Sequence, residues 1–169
     1  MDKNKCIDPN QYGVVTYSEI SIFESKVGIQ LPLSYKKYLA ERNGGRPENA
    51  WFPVFNSPSN LFFEVDTMCS LNCGPEYQRL ELQWSLPYHH DLKEFSEDLR
   101  NYFVFGYATE VVKLMIDLNS GAVYFYDPDQ LYATHSSEVI SCFGKVSDSF
   151  QDFWDNLLNL EKIPPSDEW

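Results

Sequence analysis

The sequence lacks long apolar runs, a signal-peptide core and a surplus of basic residues, and each shortage argues against a class of protein. No window approaches about 18 consecutive apolar residues, so no transmembrane helix and no membrane partner are expected. The opening residues, MDKNKCIDPNQYG, are charged and contain no apolar stretch of the kind that signal peptides have. From these two absences we expect a cytoplasmic protein.

Basic residues are scarce, since 13 Lys and Arg stand against 25 Asp and Glu, and the formal net charge is −12. Residues 1–50 hold seven basic and six acidic side chains, whereas residues 51–169 hold six basic and nineteen acidic ones. A surface of this sign repels phosphate backbones, so binding to nucleic acid is not expected. It attracts basic proteins and speeds their encounter, although an acidic composition also serves solubility alone.

The residue types that ligate metals form one group, which consists of Cys69, Cys73, His89 and His90. Structural zinc sites use cysteine pairs with two or four residues between them and a matching distal pair, whereas three residues separate Cys69 from Cys73. Adjacent histidines also point in different directions on regular backbone. We expect no metal here, and reduced thiols at all four cysteines because the chain has no export signal.

Motifs for catalysis or cofactor binding are missing as well. The sequence contains neither a G-x-G-x-x-G nor a Walker A glycine pattern. The run Asp117-x-Asn119-x-Gly121 resembles the start of a calcium loop, but Pro128 stands where the closing acidic residue belongs, and a hairpin turn explains the run better. His135 next to Ser136 lacks a nucleophile elbow. We therefore expect no enzymatic activity and no cofactor.

Helical periodicity is clear in the first 45 residues. The sequence predicts a first helix from Ser18 to about Val27, capped by Ser18 or Ser21 and ended by Gly28. The stretch LPLSYKKYLAERNGG predicts a second helix, with Pro32 at the first helical position and Asn-Gly-Gly at the end.

The second predicted helix has two sides. An i, i+4, i+7, i+8 stripe is expected to be buried, and Gly44 is expected to have a positive φ. The stripe consists of Leu31, Tyr35, Tyr38 and Leu39. The opposite, polar side is expected to carry Lys36, Lys37, Glu41 and Arg42.

The rest of the chain is dominated by strand patterns. Three strand-like segments read YFVFGYA, EVVKLMIDL and AVYFYD, and a shorter one reads EVISCF. A short helix is predicted from Asp91 to Leu99, and a longer one in SDSFQDFWDNLLNLEK. The order indicates an α+β fold in which N-terminal helices and a C-terminal helix pack around a mainly antiparallel sheet. We expect an irregular lead-in at 1–17, one domain at 18–160 and a tail at 161–169.

Several of these segments together resemble one known family. FESKVGIQLPLSYKKYLAERNGG is similar to the opening of the SMI1/KNR4 family, also called the SUKH superfamily. The later segments FVFG, IDL and GAVYFYD resemble the family's strands and hairpin, and VSDSFQDFWDNL resembles its closing helix. The residues that carry the family motif are Gly28, Leu31, Pro32, Tyr35, Leu39, Asn43, Gly44, Phe150, Phe153 and Trp154.

The resemblance implies binding rather than catalysis. Bacterial members of the family look like immunity proteins that neutralise toxins, often nucleases, by direct contact. Fungal members are implicated in the control of cell-wall glucan synthesis, which leaves a regulatory protein-interaction scaffold as the alternative. The compact chain fits the bacterial type, so we expect a monomer or weak dimer with a cognate toxin, basic in charge, as partner.

Aromatic and acidic residues that lie outside the helical stripes are the candidates for contact with such a partner. Aromatic anchors with a polar rim are a common design of protein interfaces, although aromatic residues of this kind also serve as core. The candidate partner-binding residues are Trp51, Phe55, Glu64, Asp66, Glu76, Glu81, Trp84, Asp127 and Asp129.

Overall fold

A computed structural model of the chain describes residues 6–7, 10, 13–54, 62–72, 74, 79–80, 99–109, 111–128 and 142–158. The elements in chain order are β1 (Cys6–Ile7), α1 (Tyr17–Val27), α2 (Leu33–Arg42), β2 (Arg46–Pro47), β3 (Trp51–Pro53), β4 (Phe62–Met68), β5 (Tyr102–Ala108), β6 (Val112–Asp117), β7 (Val123–Tyr126), β8 (Phe143–Ser147) and α3 (Phe150–Asp155). Three helices and a mainly antiparallel sheet confirm the predicted α+β class.

Helix α1 begins with a capping box. The Thr16 hydroxyl accepts a hydrogen bond from the backbone N–H of Glu19, and the Glu19 carboxylate accepts one from the backbone N–H of Thr16 at 2.8 Å. The predicted cap at Ser18 or Ser21 is therefore wrong, because only Thr16 combines extended backbone with a glutamate three residues later. The helix ends, as predicted, at Gly28, whose φ is +75°.

Helix α2 turns its predicted apolar side to the core. Leu31, Tyr35, Tyr38 and Leu39 are each at most 4% exposed, which confirms the expected burial. Pro32 lies one residue before the first helical residue rather than at it, and its φ of −56° leads the chain into the helix.

Arg42 is an exception to the predicted polar side of α2, because it is 3% exposed. Its guanidinium carbon lies 5.5 Å from the centre of the Trp154 ring, in the core between α2 and α3. The prediction that Arg42 faces solvent is wrong, since a planar guanidinium that stacks on an aromatic ring can be buried.

The main sheet has six strands in the order β3-β4-β5-β6-β7-β8, and each strand pairs antiparallel with its neighbour in the chain. Strands β1 and β2 form a separate antiparallel pair. Between β6 and β7 the Asp117 carboxylate accepts hydrogen bonds from the Asn119 N–H and the Ser120 hydroxyl, and Gly121 has a φ of +78°. The run thus forms the predicted hairpin turn.

The six-stranded sheet is strongly curved. The Phe63 ring on β4 lies 5.5 Å from the Phe125 ring on β7, although the two strands are three positions apart. In a flat sheet that separation is about 14 Å. The pairing register shifts at three places: between Val65 and Thr67 on β4, between Val104 and Gly106 on β5, and at Val123 and Tyr124 where β7 pairs with β8. Such irregularities bend strands.

All three helices pack on the concave face of this sheet, where aromatic rings form the centre of the core. The Tyr35 ring lies 5.8 Å from Phe103, 5.7 Å from Phe105 and 4.9 Å from Phe150. The Tyr38 ring lies 4.9 Å from Trp154. Burial of rings of this size dominates the energetics of a core.

The predicted C-terminal helix is wrong in extent. Helix α3 has six residues, because the chain leaves the helix and Leu158 pairs with Trp51 in an isolated bridge. Of the strand predicted at EVISCF, residues 138–141 lie outside the described part of the chain, and Phe143 is the first residue of β8. Of the helix predicted from Asp91, only Leu99 is described, and it is buried.

The longest helix of the described ranges, α1, has 11 residues, and no helix there is long and apolar enough to cross a membrane.

Candidate partner-binding surface

Trp51 lies between two extended segments. Its Cα is opposite that of Glu64 on β4, while its backbone N–H and C=O both bond to Leu158, at 2.9 and 2.8 Å. Residues directly opposite each other in an antiparallel pair project to the same face. The half-buried Trp51 ring and the Glu64 carboxylate are therefore neighbours on one surface.

Glu64 has a basic partner that the sequence did not reveal. A terminal nitrogen of Arg46, on β2, lies 3.6 Å from the Glu64 carboxylate, and the two side chains are 58% and 30% exposed. An exposed pair of this kind contributes little to stability. The carboxylate thus remains accessible to a basic group of a partner protein.

Asp66 and Asp127 are half-buried; Asp66 lies at an irregular position of β4, and Asp127 directly follows β7. Val65 pairs with Ala108 and Thr67 with Tyr107, so Asp66 has no directly opposite residue on β5. Such a position redirects a side chain. Asp127 follows β7 two residues beyond Phe125.

The structure describes four of the nine predicted contact residues and places two of them, Trp51 and Glu64, opposite each other on neighbouring strands. The five that lie outside the described residues are Phe55, Glu76, Glu81, Trp84 and Asp129.

The acidic residues are distributed unevenly between the described residues and the remaining segments. The described residues carry eleven Asp and Glu against nine Lys and Arg, a net charge of −2, so −10 of the total of −12 belongs to the other segments. The acidic charge that sequence reasoning predicted therefore belongs mainly to residues outside the described ranges.

A second aromatic surface was missed by sequence reasoning. On the convex face of the sheet, the Tyr102 ring lies 5.6 Å from Tyr124 and 5.0 Å from Phe143. Burial, with the neighbouring Tyr124 and Asp117, raises the pKa of Tyr102. The strand alternation contained the signal, because Tyr102 and Tyr124 are out of phase with the core residues beside them.

The two cysteines whose side chains the structure describes offer no reactive group. Cys69 and Cys142 are buried free thiols, and burial raises the pKa of Cys69, which keeps it protonated and inert. Within the described residues no three potential ligands come close enough to hold a metal ion. Cys73, His89 and His90 lie outside that part of the chain.

Asn43 ends α2 as predicted, and its side chain also bonds to two other segments of the chain. Its side-chain amide donates to the carbonyls of Gly13 and Leu71, at 3.0 and 3.1 Å, and its oxygen accepts from the Leu71 N–H at 2.8 Å. Next to it, Gly44 has the predicted positive φ, +86°, and a Cβ there would lie 2.9 Å from the Cβ of Ser70. The Asn-Gly pair thus joins α2 to the end of β4.

Comparison of the sequence with models of protein families gives one match, which covers most of the described helices and strands. The model of the SMI1 / KNR4 family (SUKH-1) matches residues 15–156, a range that contains α1 to α3 and the whole six-stranded sheet. No curated protein matches the chain.

Proposed function

This chain belongs to the SMI1/KNR4 family (SUKH-1), and from that membership we propose that it is an immunity protein that binds a cognate bacterial toxin and neutralises it. The family match over residues 15–156 is the observation that carries the proposal. Bacterial members of this family resemble immunity proteins, whereas its fungal members resemble regulators of cell-wall synthesis, and a compact acidic chain fits the former.

The charge of the chain supports a basic partner, such as the catalytic domain of a nuclease. A net charge of −12 imitates the sign of a nucleic acid and accelerates encounter with a protein that binds one. At short range, Trp51 is an aromatic anchor for the partner, and the carboxylate of Glu64 lies next to it. In this proposal the protein acts by occupying the toxin's groove and performs no chemistry of its own.

Protection of cells tests the proposal directly. The chain is expressed together with the toxin encoded beside its gene, and growth is compared with that of cells that make the toxin alone. We expect restored growth and a one-to-one complex of the purified proteins. If no toxin encoded beside the gene is neutralised or bound, the proposal is wrong. A gene neighbourhood without any toxin would favour the regulatory alternative.

The contact surface is tested by two substitutions and a matched control. Trp51→Ala is expected to weaken toxin binding by about 30-fold, the effect of losing an interface anchor. Glu64→Lys is expected to slow association, most clearly at low salt. Asp148→Lys makes the same charge change at a side chain that is 87% exposed. If all three variants bind alike, Trp51 and Glu64 do not form the contact, while the immunity function can still hold.

A further inference from the structure

The exposed large apolar side chains of the described residues are concentrated in one region. Five are exposed, and four of them lie between positions 14 and 33. They are Val14 at 72%, Tyr17 at 52%, Ile22 at 65% and Leu33 at 75%. We call these four residues the helix-layer surface. The fifth residue, Val111, is 45% exposed and lies between β5 and β6.

Two of these four residues, Ile22 and Leu33, face away from the sheet. Phe23 on α1 and Tyr35 on α2 both contact Phe103 on the concave face, at ring distances of 6.3 and 5.8 Å. Ile22 and Leu33 project from the opposite sides of these helices, because buried and exposed residues separate at helical spacing. The outer sides of α1 and α2 therefore each expose a large apolar side chain, Ile22 and Leu33.

The two serine hydroxyls on the outer side of α1 are already satisfied. The Ser21 hydroxyl donates to the carbonyl of Tyr17 at 2.9 Å, and the Ser25 hydroxyl donates to the carbonyl of Ser21 at 2.8 Å. Hydroxyl groups that bond to their own helix lose little when a surface covers them. These small side chains also let another helix approach closely.

The charges of α1 are arranged to suit an antiparallel copy of the same helix. Glu19 lies about 4.5 Å before Ile22 along the helix axis and Lys26 about 6 Å after it, and both project to the same side. A two-fold axis at Ile22 therefore brings Glu19 of each copy close to Lys26 of the other. Lys26 forms no ion pair with any described residue, so it is available for this contact.

We propose that a second copy of this chain docks on the helix-layer surface, with the two α1 helices antiparallel and Ile22 at the centre. Such a contact is self-complementary, as the symmetry of a dimer requires. Two chains of charge −12 repel each other, so they associate best through a surface on which acid and base balance. The inference is independent of the proposed function, because toxin binding is assigned to Trp51 on β3 and Glu64 on β4 and not to α1.

The test is sedimentation equilibrium of the full chain over a wide range of concentration, at low and high salt. The wild type is expected to form a dimer that high salt strengthens, since salt screens the repulsion. Ile22→Glu is expected to weaken the dimer at least about 100-fold, because both copies lose a buried side chain and gain like charges. Lys26→Glu is expected to weaken it about fivefold, mainly at low salt.

Val111→Glu is the matched control, since it introduces the same charge at an exposed apolar residue away from the helices, and it is expected to leave the dimer unchanged. Thermal melts establish that each variant is folded. A wild type that stays monomeric at every concentration overturns the proposal, as does an Ile22→Glu variant that dimerises normally. If the wild type is monomeric and Ile22→Glu loses toxin binding, the surface belongs to the toxin and the dimer is rejected. A monomeric Ile22→Glu variant that still protects cells supports both proposals.

Discussion

Glu24 is a buried carboxylate that joins the two N-terminal helices. It is 3% exposed, and its Oε1 accepts a hydrogen bond from the backbone N–H of Leu31 at 2.6 Å. The ammonium group of Lys36 lies 2.9 Å from Oε1 and 3.1 Å from Oε2. One side chain therefore satisfies the turn between the helices and neutralises a lysine of the second helix.

Replacing Glu24 is expected to be far more costly than replacing a glutamate in an exposed pair. Glu24→Ala leaves the Leu31 N–H and the Lys36 ammonium without their acceptor, so we expect a loss of about 3 kcal/mol in the free energy of unfolding. Glu41→Ala removes the exposed pair with Lys37, whose groups are 3.9 Å apart, and is expected to cost under about 0.5 kcal/mol. Urea denaturation measures both, and equal losses would contradict the role assigned to Glu24.

Sequence reasoning placed Lys36 on a polar outer side, and its partner could not be inferred from that pattern. Helical periodicity compares residues on one helix, whereas Glu24 and Lys36 are twelve positions apart on two helices. The same limit applies to Arg46 and Glu64, which meet because β2 and β4 lie side by side. Thr16 differs, since the capping box of Thr16 and Glu19 was readable in the sequence and was overlooked.

At the scale of elements, two helices end in glycines whose surroundings differ. Gly28, after α1, has a φ of +75° and open space where a Cβ would be. Gly44, after α2, has a φ of +86°, and its Cβ would lie 2.9 Å from the Ser70 Cβ and 3.0 Å from the Met68 carbonyl oxygen. The second glycine is thus required both by its backbone conformation and by the close approach of the chain after β4.

Alanine substitutions separate these two requirements. Gly28→Ala is expected to cost about 1 kcal/mol, the strain of a left-handed residue with a side chain. Gly44→Ala carries the same strain and also forces backbone apart, so we expect a cost of about 3 kcal/mol. Urea denaturation of both variants gives the difference. Equal costs would show that the segment after β4 moves aside easily.

The extents of α2 and α3 show how far periodicity predicts an element. The Asn43-Gly44 ending of α2 is a local signal, and it was read correctly. The stripe of α3 continues through Leu157 and Leu158, so the sequence predicted a longer helix. Pairing of Leu158 with Trp51 at the edge of β3 overrides the local preference there.

At the scale of the whole molecule, the sequence predicted a mainly antiparallel sheet but neither the order of its strands nor its curvature. Phe52 and Phe63 reach Phe125 only because the sheet bends around the helices. This bending depends on irregular register at particular residues, which no alternation pattern contains. The candidate site was likewise only partly predictable. The sequence identified Trp51 and Glu64 as candidates by residue type, but only the pairing of β3 with β4 makes them neighbours.

A thiol and two phenol groups buried in the protein make the fold sensitive to alkali. Burial raises the pKa values of Cys69, Tyr35 and Tyr107 above their ordinary values of 9.0 for the thiol and 10.0 for the phenols. Below the ordinary values both the folded and the unfolded chain keep these protons, so stability is unaffected. Above them the unfolded chain releases protons that the folded chain retains, which favours unfolding.

We therefore expect the free energy of unfolding to fall as the pH rises above about 9, by about 1.4 kcal/mol per pH unit for each fully buried group. The Tyr35 hydroxyl has no hydrogen-bond partner among the described residues, so Tyr35→Phe is expected to be neutral or stabilising at pH 7 and to make the alkaline decline shallower. Tyr17→Phe, which removes an exposed hydroxyl, is the control and should decline like the wild type. Urea denaturation at a series of pH values measures the three slopes. A wild type whose stability is unchanged up to pH 11 would show that these groups ionise in the folded state, and that water reaches the core beneath α2.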